Sequence, residues 1–372
     1  MQIDQLEAFA QQDPDNPQLA LMLGEAYLAC GQLERAQGLL SKPACAELPR
    51  AQALLARLAL MHGDYPKARG LLAALCQREA DNAVLWHDLG FAELCLGDLS
   101  AALAALARAQ ALATLPELHA LAARIAHAEE DMARARREIA HALALAPQSA
   151  EVLGQYALIE LDGGGFEAAA QHAQAALERD AGQHEALIVL SALAVQAQDA
   201  AAALAWAGQG LQRYPNSARL RANQAQALLL AGDLGQAKAE AARAVALQPQ
   251  HLGGWHVLAW SQLLQGELEQ ARASFEQAFE RDRNFADTLG GLALVHALQG
   301  RADESERWLK RARRLNAASP TTVYAGVVRD SLDGDAAAHM RLEALLQRLP
   351  AYAGVDSAAL LAATLRRLRG EA

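Results

Sequence analysis

Apolar residues follow a helical period along most of the chain, in short segments separated by glycine or proline. Residues 252–284 show this pattern most clearly, because they contain two amphipathic segments joined by one glycine. The apolar residues of each segment are three, four or seven positions apart, which places them on one face of a helix. They are Trp255, Leu258 and Ala259 in the first segment and Ala271, Phe275 and Ala278 in the second, with Gly266 between. The pattern predicts two short helices that need similar neighbours to bury their apolar faces.

The same pair of segments recurs along the chain, and we call each predicted pair a repeat. The step is 34 residues except for one step of 32 and one of 33. The ten repeats begin near Pro17, Pro49, Ala83, Pro116, Ala150, His184, Ala218, Leu252, Ala286 and Pro320. Together they occupy residues 17–350. Residues 1–16 predict a lone N-terminal capping helix, and residues 351–372 predict a C-terminal capping helix.

Glycines mark the turn inside the repeats at a constant position, as expected for a helix end that needs a left-handed residue. They are Gly31, Gly63, Gly97, Gly232, Gly266, Gly300 and Gly334, and the fifth repeat has the run Gly163, Gly164 and Gly165. The first repeat departs from this regularity, because two prolines interrupt residues 41–50. We therefore expect a distorted junction after the first repeat.

Several repeats carry the residues of a known 34-residue motif, W-x2-L-G-x2-Y followed by A-x3-F and P. The matches are Trp86 with Leu89 and Gly90, Leu23 and Gly24 with Tyr27, Ala271 with Phe275, and Ala244 ahead of Pro249. The chain therefore resembles the tetratricopeptide-repeat superfamily. The resemblance implies an all-α fold, a right-handed α-solenoid of about nine to ten helix-turn-helix repeats with capping helices at both ends. It also implies almost no strand and helices of roughly 12–16 residues.

The tenth repeat departs from the family pattern. Val327 and His339 occupy positions where the family prefers small residues. We therefore expect this repeat to be irregular.

Composition and charge narrow the range of partners. Hydrophobic residues make up 53% of the chain but aromatic residues only 5%, since alanine and leucine predominate. The formal net charge of −10 argues against nucleic acid or an anionic membrane as the main partner. No signal peptide and no long apolar run is evident, so we expect a cytoplasmic, bacterial-type protein without membrane insertion.

Motifs for catalysis or metal binding are not apparent in the sequence. The four cysteines lack CxxC spacing, the eleven histidines form no HExxH motif, and there is no GxSxG sequence. The glycine run at 163–165 is not followed by the Lys-Ser/Thr of a phosphate-binding loop. We therefore expect no enzyme activity, no metal site and no cofactor.

The resemblance implies where a partner would bind. In tetratricopeptide arrays, positions 2, 5, 6, 9, 12 and 13 of each repeat line a concave groove, and here those positions are unusually apolar. The candidate groove residues are Ile188, Val189, Arg219, Asn223, Gln226, His256, Val257, Trp260, Gly291 and Leu294. Secondary candidates are His87, Phe91 and Arg124. A family variant clamps a carboxylate at 188, 192, 223, 253 and 257, and only Asn223 fits that variant here.

Trp260 is the predicted centre of this groove, because position 9 is not a framework position of the family. We expect it to face Asn223 and Gln226, with Gly290 and Gly291 on its other side leaving room for a partner's backbone. The alternative is that Trp260 fills the space over those glycines as part of the core.

The functional hypothesis is a scaffold, adaptor or chaperone that holds a peptide or helix of a protein partner in an apolar groove. The alternative is a structural subunit of a larger secretion or assembly complex, using its convex face or its ends. Homo-oligomers are possible but not implied. Light scattering would separate a monomeric adaptor from a multimeric building block.

Overall fold

The computed structural model describes residues 3–335, 337–338 and 340–341, and regular structure in these ranges is entirely helical. The predicted all-α fold is therefore confirmed. The helices are α1 Ile3–Gln12, α2 Pro17–Ala29, α3 Leu33–Leu40, α4 Pro43–Ala46, α5 Pro49–Met61, α6 Tyr65–Arg78, α7 Ala83–Cys95, α8 Leu99–Leu112, α9 Pro116–Ala128, α10 Met132–Leu145, α11 Ala150–Asp162, α12 Phe166–Leu177, α13 His184–Gln196, α14 Ala200–Arg213, α15 Ala218–Leu230, α16 Leu234–Leu247, α17 Leu252–Leu264, α18 Leu268–Arg281, α19 Ala286–Leu298, α20 Ala302–Asn316 and α21 Pro320–Leu332.

A helix begins at each of the ten residues at which the sequence places a repeat. These first helices, α2, α5 and then every odd-numbered helix to α21, all have 13 residues. Because start and length are constant, equivalent positions of different repeats occupy equivalent places on their helices. The helices divide into two compact parts, Met1–Gly164 and Gly165–Ala372, which we call the N-terminal and C-terminal parts.

The turn inside each repeat uses a left-handed residue at position 15. Glycine holds this position in eight repeats, with φ between 72° and 91°, and the glycine used in the fifth repeat is Gly164. Glu130 and Gln198 take the same conformation in the fourth and sixth repeats, with φ of 62° and 58°. The predicted role of the turn glycines is confirmed. In six repeats an aspartate follows and accepts a hydrogen bond from an N–H of the second helix, as in Asp98 with Ala101.

The first repeat shows the expected distortion. Its second helix, α3, has only eight residues, and a four-residue helix, α4, precedes α5. Pro43 begins α4 and Pro49 begins α5. A proline is tolerated at the first position of a helix, because the N–H that it lacks would have no partner within the helix there. The N-terminal helix α1 packs on α2 through Leu6, and the Tyr27 hydroxyl donates to Glu7 Oε1 over 2.6 Å.

The tenth repeat is described only in part. Its first helix, α21, is uninterrupted and includes Val327. His339, most of the second half of this repeat and the predicted capping helix 351–372 lie outside the described residues. The irregularity expected for this repeat does not affect α21.

Alanine and glycine allow the helices of neighbouring repeats to approach closely. Ala259, Ala271, Phe275 and Leu292 are fully buried in one cluster of the C-terminal part. A Cβ atom on Gly24 would lie 2.8 Å from Leu40 Cδ2, so that glycine is needed where α2 meets α3. The high alanine and leucine content therefore serves helix packing at short distances.

Candidate functional site

A cavity of about 540 Å³ opens in the C-terminal part among the first helices of four consecutive repeats. Helices α15 and α17 form its walls, and the N-terminal ends of α19 and α21 contribute its edge. We call it the Trp260 pocket. Its lining residues are Gln226, Leu229, Leu230, Leu252, Gly253, His256, Val257, Trp260, Leu264, Phe285, Asp287, Pro320 and Thr321.

The walls of the Trp260 pocket are mainly apolar. Leu229 and Leu230 come from the end of α15, and Val257 and Leu264 lie one turn from Trp260 on α17. The indole of Trp260 is partly exposed, and it also packs against the core of the C-terminal part. A partly exposed aromatic ring held from behind by packed side chains is a typical anchor for a binding partner.

The ring of Phe275 forms the floor below the pocket. It lies edge-on to the Trp260 ring, with centroids 6.1 Å apart, and edge-on to the His256 ring at 5.8 Å. Phe275 itself is fully buried. The positions of Trp260 and His256 therefore depend on a core residue from the second helix of their own repeat.

His256 is the most strongly perturbed titratable group of the pocket. Burial lowers its pKa to about 4, although the nearby carboxylate of Asp287 acts in the opposite direction. Its Nε2 atom lies 2.6 Å from the Thr288 hydroxyl, and its ring also contacts Phe285 edge-on at 5.2 Å. At neutral pH His256 therefore presents an uncharged imidazole to the pocket.

Three further residues with polar side chains line the pocket, namely Gln226, Asp287 and Thr321. Gln226 is exposed at the α15 side. On the opposite side the Asp287 carboxylate accepts a hydrogen bond from the Ser319 hydroxyl over 2.5 Å. The pocket thus combines apolar walls with an amide, a neutral imidazole and one carboxylate. Such a lining can accept hydrogen bonds and attract a positive group, but it repels an anion.

The structure brings four of the ten predicted groove residues together in the Trp260 pocket, namely Gln226, His256, Val257 and Trp260. Asn223 does not line it, because its side-chain amide donates to the Ile188 carbonyl over 3.0 Å and to Ser191 Oγ over 2.8 Å. That amide joins two consecutive first helices. Arg219 is partly exposed near the start of α15, away from the lining.

The remaining four predicted groove residues are buried and offer little surface to a partner. Ile188 is 3% exposed, and Val189 and Leu294 are 0% exposed, so their side chains belong to the core. Gly291 is buried beneath the Phe275 ring, which a Cβ atom at that position would overlap. Their apolar character reflects packing between repeats.

The expectation that Gly290 and Gly291 leave room for a partner's backbone is wrong. The Phe275 ring occupies the space beside Gly291, and a Cβ atom on Gly290 would lie 3.0 Å from the backbone of Thr321. The alternative, that Trp260 belongs to the core over those glycines, stays a prediction. Phe275 occupies the space beside Gly291, while Trp260 both lines the pocket and packs against the core cluster that contains Phe275.

The secondary candidates lie in the N-terminal part and are tied to other side chains. His87 Nδ1 is 2.9 Å from Asp88 Oδ1, and the Arg124 guanidinium lies 5.8 Å from the centre of the Phe91 ring. Arg124 also donates to Gln155 over 3.2 Å. None of the three lines the cavity of about 280 Å³ found between α2, α5 and α7.

Nine residues of the Trp260 pocket are not among the candidate groove residues. Three of them, Gly253, Asp287 and Thr321, stand at position 2 of successive repeats, and Leu230 and Leu264 stand at position 13. Both positions belong to the groove set that the family resemblance implies. Applying that set without preference for positions 5, 6 and 9 would have found them.

None of the described helices is both long and apolar enough to cross a membrane. This observation applies to residues 3–335, 337–338 and 340–341.

Comparison with known proteins agrees with the repeat geometry. A family model described as tetratricopeptide repeat matches residues 3–58 and 262–321. No curated protein sequence matches the chain.

The solved structures that are similar to the chain include three with low sequence identity. A tetratricopeptide repeat protein from Parabacteroides merdae has a TM-score of 0.43 and 15% identity, covering 76% of this chain and 98% of that one. PilF of Pseudomonas aeruginosa has a TM-score of 0.43 and 18% identity, covering 61% and 98%. YrrB, a tetratricopeptide-repeat protein with an unusual peptide-binding site, has a TM-score of 0.37 and 17% identity, covering 50% and 97%.

Two observations on the repeats agree with each other. The family model matches stretches near both ends of the described chain, and ten helices of equal length recur at the family's spacing between and within them. Residues 3–58 and 262–321 therefore match the tetratricopeptide-repeat family, and the described helices between them recur with the same spacing.

Proposed function

We propose that this chain is an adaptor or chaperone that captures a peptide or helix of a protein partner in the Trp260 pocket. Tetratricopeptide arrays are interaction scaffolds whose stacked first helices create extended binding surfaces. The observation that carries the proposal is the partly exposed Trp260 on the wall of an apolar cavity of about 540 Å³. This volume lies within the range of roughly 300–1,000 Å³ that ligand pockets occupy.

The lining favours a particular partner chemistry. The apolar walls suit one or two large apolar side chains, which would bury the exposed part of the Trp260 indole. Gln226 and the neutral His256 can hydrogen-bond a peptide backbone. The Asp287 carboxylate favours an N–H donor or a basic side chain at the α19 edge and disfavours a C-terminal carboxylate. We expect an apolar segment flanked by a basic residue.

Selection from a display library of random linear peptides tests the proposal. We expect enrichment of apolar peptides with a basic residue, and we expect Trp260→Ala to weaken the best peptide at least ~tenfold. Trp255→Ala is the matched control on the same helix. Trp255 lies outside the lining, donates from Nε1 to the Pro249 carbonyl over 2.7 Å, and packs under Arg281. Its truncation should leave peptide affinity within a few-fold of wild type.

Trp260 also packs on the core, so a loss of affinity in Trp260→Ala must be distinguished from destabilisation of the fold by a second variant. Leu230→Glu changes a partly exposed lining residue and should weaken the same peptide without a large change in thermal unfolding. Enrichment of one motif would indicate an adaptor, and enrichment of many unrelated apolar sequences would indicate a chaperone. Equal affinity of wild type, Trp260→Ala and Leu230→Glu would show that the pocket is not the binding site.

A further inference from the structure

A second group of functional side chains lies in the N-terminal part, between the two helices of the fourth repeat. His119 is on α9, and Glu138 and His141 are on α10. One potential ligand atom from each of the three lies within 4.8 Å of the others. His119 Nδ1 is 2.8 Å from Glu138 Oε2, and the two imidazole rings are edge-on with centroids 5.5 Å apart. The sequence motifs did not reveal the group, because 19 residues separate His119 from Glu138.

The backbone that carries this group is firmly packed. Glu138 and His141 are three residues apart, so they lie on the same face of α10. Ile139 and Ala142, beside them in sequence, are fully buried and hold α10 in the core of the N-terminal part. The side chains of His119 and Glu138 are about one quarter exposed, whereas His141 is exposed. The group is therefore fixed on two sides and open to solvent on the third.

At the same three positions, the seventh repeat has side chains that form ion pairs. Positions 4, 23 and 26 hold Arg221, Glu240 and Arg243 there, and both guanidinium groups contact the Glu240 carboxylate at 2.5 Å. That arrangement is a permanent ion triad. In the fourth repeat the two arginines are replaced by histidines, whose nitrogen lone pairs can bind a metal ion.

Two arginines of α10 close to Glu138 in sequence contact other carboxylates. Arg134 contacts Glu129 at 2.8 Å, and Arg136 contacts Glu160 at 3.0 Å. The Glu138 carboxylate lies 2.8 Å from the His119 ring and within 4.8 Å of a His141 nitrogen, while the guanidinium groups of these two arginines contact other acids.

We infer that His119, Glu138 and His141 form a site for Zn²⁺ or another late first-row divalent cation. Two imidazole nitrogens and one carboxylate oxygen are a common zinc donor set, with water in the fourth position of the tetrahedron. The open side at His141 leaves room for that water. In the metal-bound form His119 carries its proton on Nε2, and the cation replaces the hydrogen bond between Nδ1 and Glu138. The three ligand atoms lie within 4.8 Å of one another, so the metal-bound form requires the side chains, above all the exposed His141, to rearrange around the ion.

Calorimetric titration of the purified full chain with Zn²⁺ tests the site, using the wild type and the double variant His119→Arg/His141→Arg. This variant copies the ion triad of the seventh repeat, so it should fold while losing the metal. We expect the double variant to bind one zinc ion fewer than the wild type, or to bind that ion at least ~tenfold more weakly. Co²⁺ should give the absorption of a tetrahedral complex in the wild type only.

His127→Gln is the matched control. His127 is also on α9 and pairs with a carboxylate, Asp162, at 3.2 Å. It is not part of the three-residue group, so its removal should leave the zinc equivalent intact.

Glu138→Gln provides a second test if the double variant folds poorly, as judged by its circular dichroism. The amide keeps a hydrogen-bond acceptor for His119 but removes the anionic ligand, so zinc affinity should again fall at least ~tenfold. Identical zinc isotherms for the wild type and Glu138→Gln, or for the wild type and the folded double variant, would overturn the inference. Neither result depends on peptide binding at Trp260.

Discussion

The two parts of the molecule contain cavities at equivalent positions of the repeat, yet the cavities differ in size and chemistry. The smaller one, of about 280 Å³, lies in the N-terminal part, and the Trp260 pocket, of about 540 Å³, lies in the C-terminal part. Matching positions of the two linings are occupied by Glu25 and Gln226, Arg50 and Gly253, Ala53 and His256, Leu54 and Val257, and Arg57 and Trp260. The same backbone therefore carries a charged lining in one place and an apolar lining in the other.

The charged residues that line the N-terminal cavity form ion pairs with one another. Arg50 contacts Glu25 at 2.7 Å, and Arg57 contacts Asp88 at 3.1 Å, so each charge already has a partner within the fold. In the Trp260 pocket the residues that would form the first pair are an amide and a glycine. The indole that replaces Arg57 then faces open space. The chemistry of equivalent cavity linings in this array is thus set by a few side chains at fixed positions, since helix start and length do not change.

Transplanting the charged lining should have the largest effect. The variant Gln226→Glu/Gly253→Arg/Trp260→Arg installs the residues of the N-terminal cavity at the equivalent positions of the pocket. We expect more than ~100-fold loss of affinity for an apolar peptide selected on the wild type, because the new ion pair fills the pocket and the indole anchor is removed. Fluorescence anisotropy of the labelled peptide measures it.

Gln226→Glu alone is the control for the transplant, because it adds charge at an exposed residue without filling the cavity. Its affinity should stay within a few-fold of wild type. Wild-type peptide affinity in the triple variant would contradict the comparison, because it would show that the charged or apolar lining does not determine peptide binding.

Acid should weaken the C-terminal part through His256. Its pKa is lowered to about 4, whereas an unfolded histidine titrates near 6.5, so the unfolded state takes up a proton first as pH falls. Stability is complete above pH ~6.5 and declines down to pH ~4, by roughly 2–3 kcal/mol from this residue. Burial also lowers the pKa of His296, which adds to the same decline.

The variant His256→Gln isolates the contribution of His256, with thermal unfolding measured across this pH range. We expect a shallower pH dependence than in the wild type but not a flat one, because His296 remains. Equal slopes for both proteins would show that His256 is not buried as a neutral ring.

Filling the space beside Gly291 should disturb the floor of the pocket. A Cβ atom there overlaps the Phe275 ring, which in turn supports Trp260 and His256. We expect Gly291→Ala to destabilise the chain by about 2 kcal/mol, as overpacking of a core does. Gly208→Ala is the control, because a Cβ atom at Gly208 in α14 meets nothing within 4 Å and should stabilise the helix slightly. Urea unfolding of both variants makes the measurement, and equal midpoints would contradict it.

The smallest expected effect concerns the turns that keep the two cavities equivalent. Glu130 and Gln198 adopt positive φ where the other repeats have glycine. Because a left-handed conformation costs an ordinary residue about 1 kcal/mol, Glu130→Gly and Gln198→Gly should each raise the free energy of unfolding by that amount. The reverse change, Gly97→Ala, should lower it. Thermal unfolding distinguishes the two directions, and destabilisation by both new glycines would contradict the argument.

Repeat starts and turns were predictable because they depend on local chemistry. Pro116 can begin a helix and Gly97 can end one regardless of what packs against them. The division between core and groove was less predictable. Leu294 and Trp260 both stand at position 9, yet Leu294 is buried and Trp260 lines a cavity. Leu294 lies in a buried cluster with Phe275 and with Val328 of α21, and sequence alone does not show that a ring from one repeat reaches a glycine of the next.

The side-chain amides that join consecutive first helices bear on how the chain reaches its fold. Gln155 donates to the Ala120 carbonyl and Asn223 donates to the Ile188 carbonyl, and each bond spans 35 residues of sequence. Contacts of such short range let a chain fold quickly, because little loop entropy is lost in closing them. During synthesis each such junction can close as soon as one further repeat has left the ribosome. The order of repeats along the messenger is then also the order in which the array is assembled, with the Trp260 pocket completed among the last of its parts.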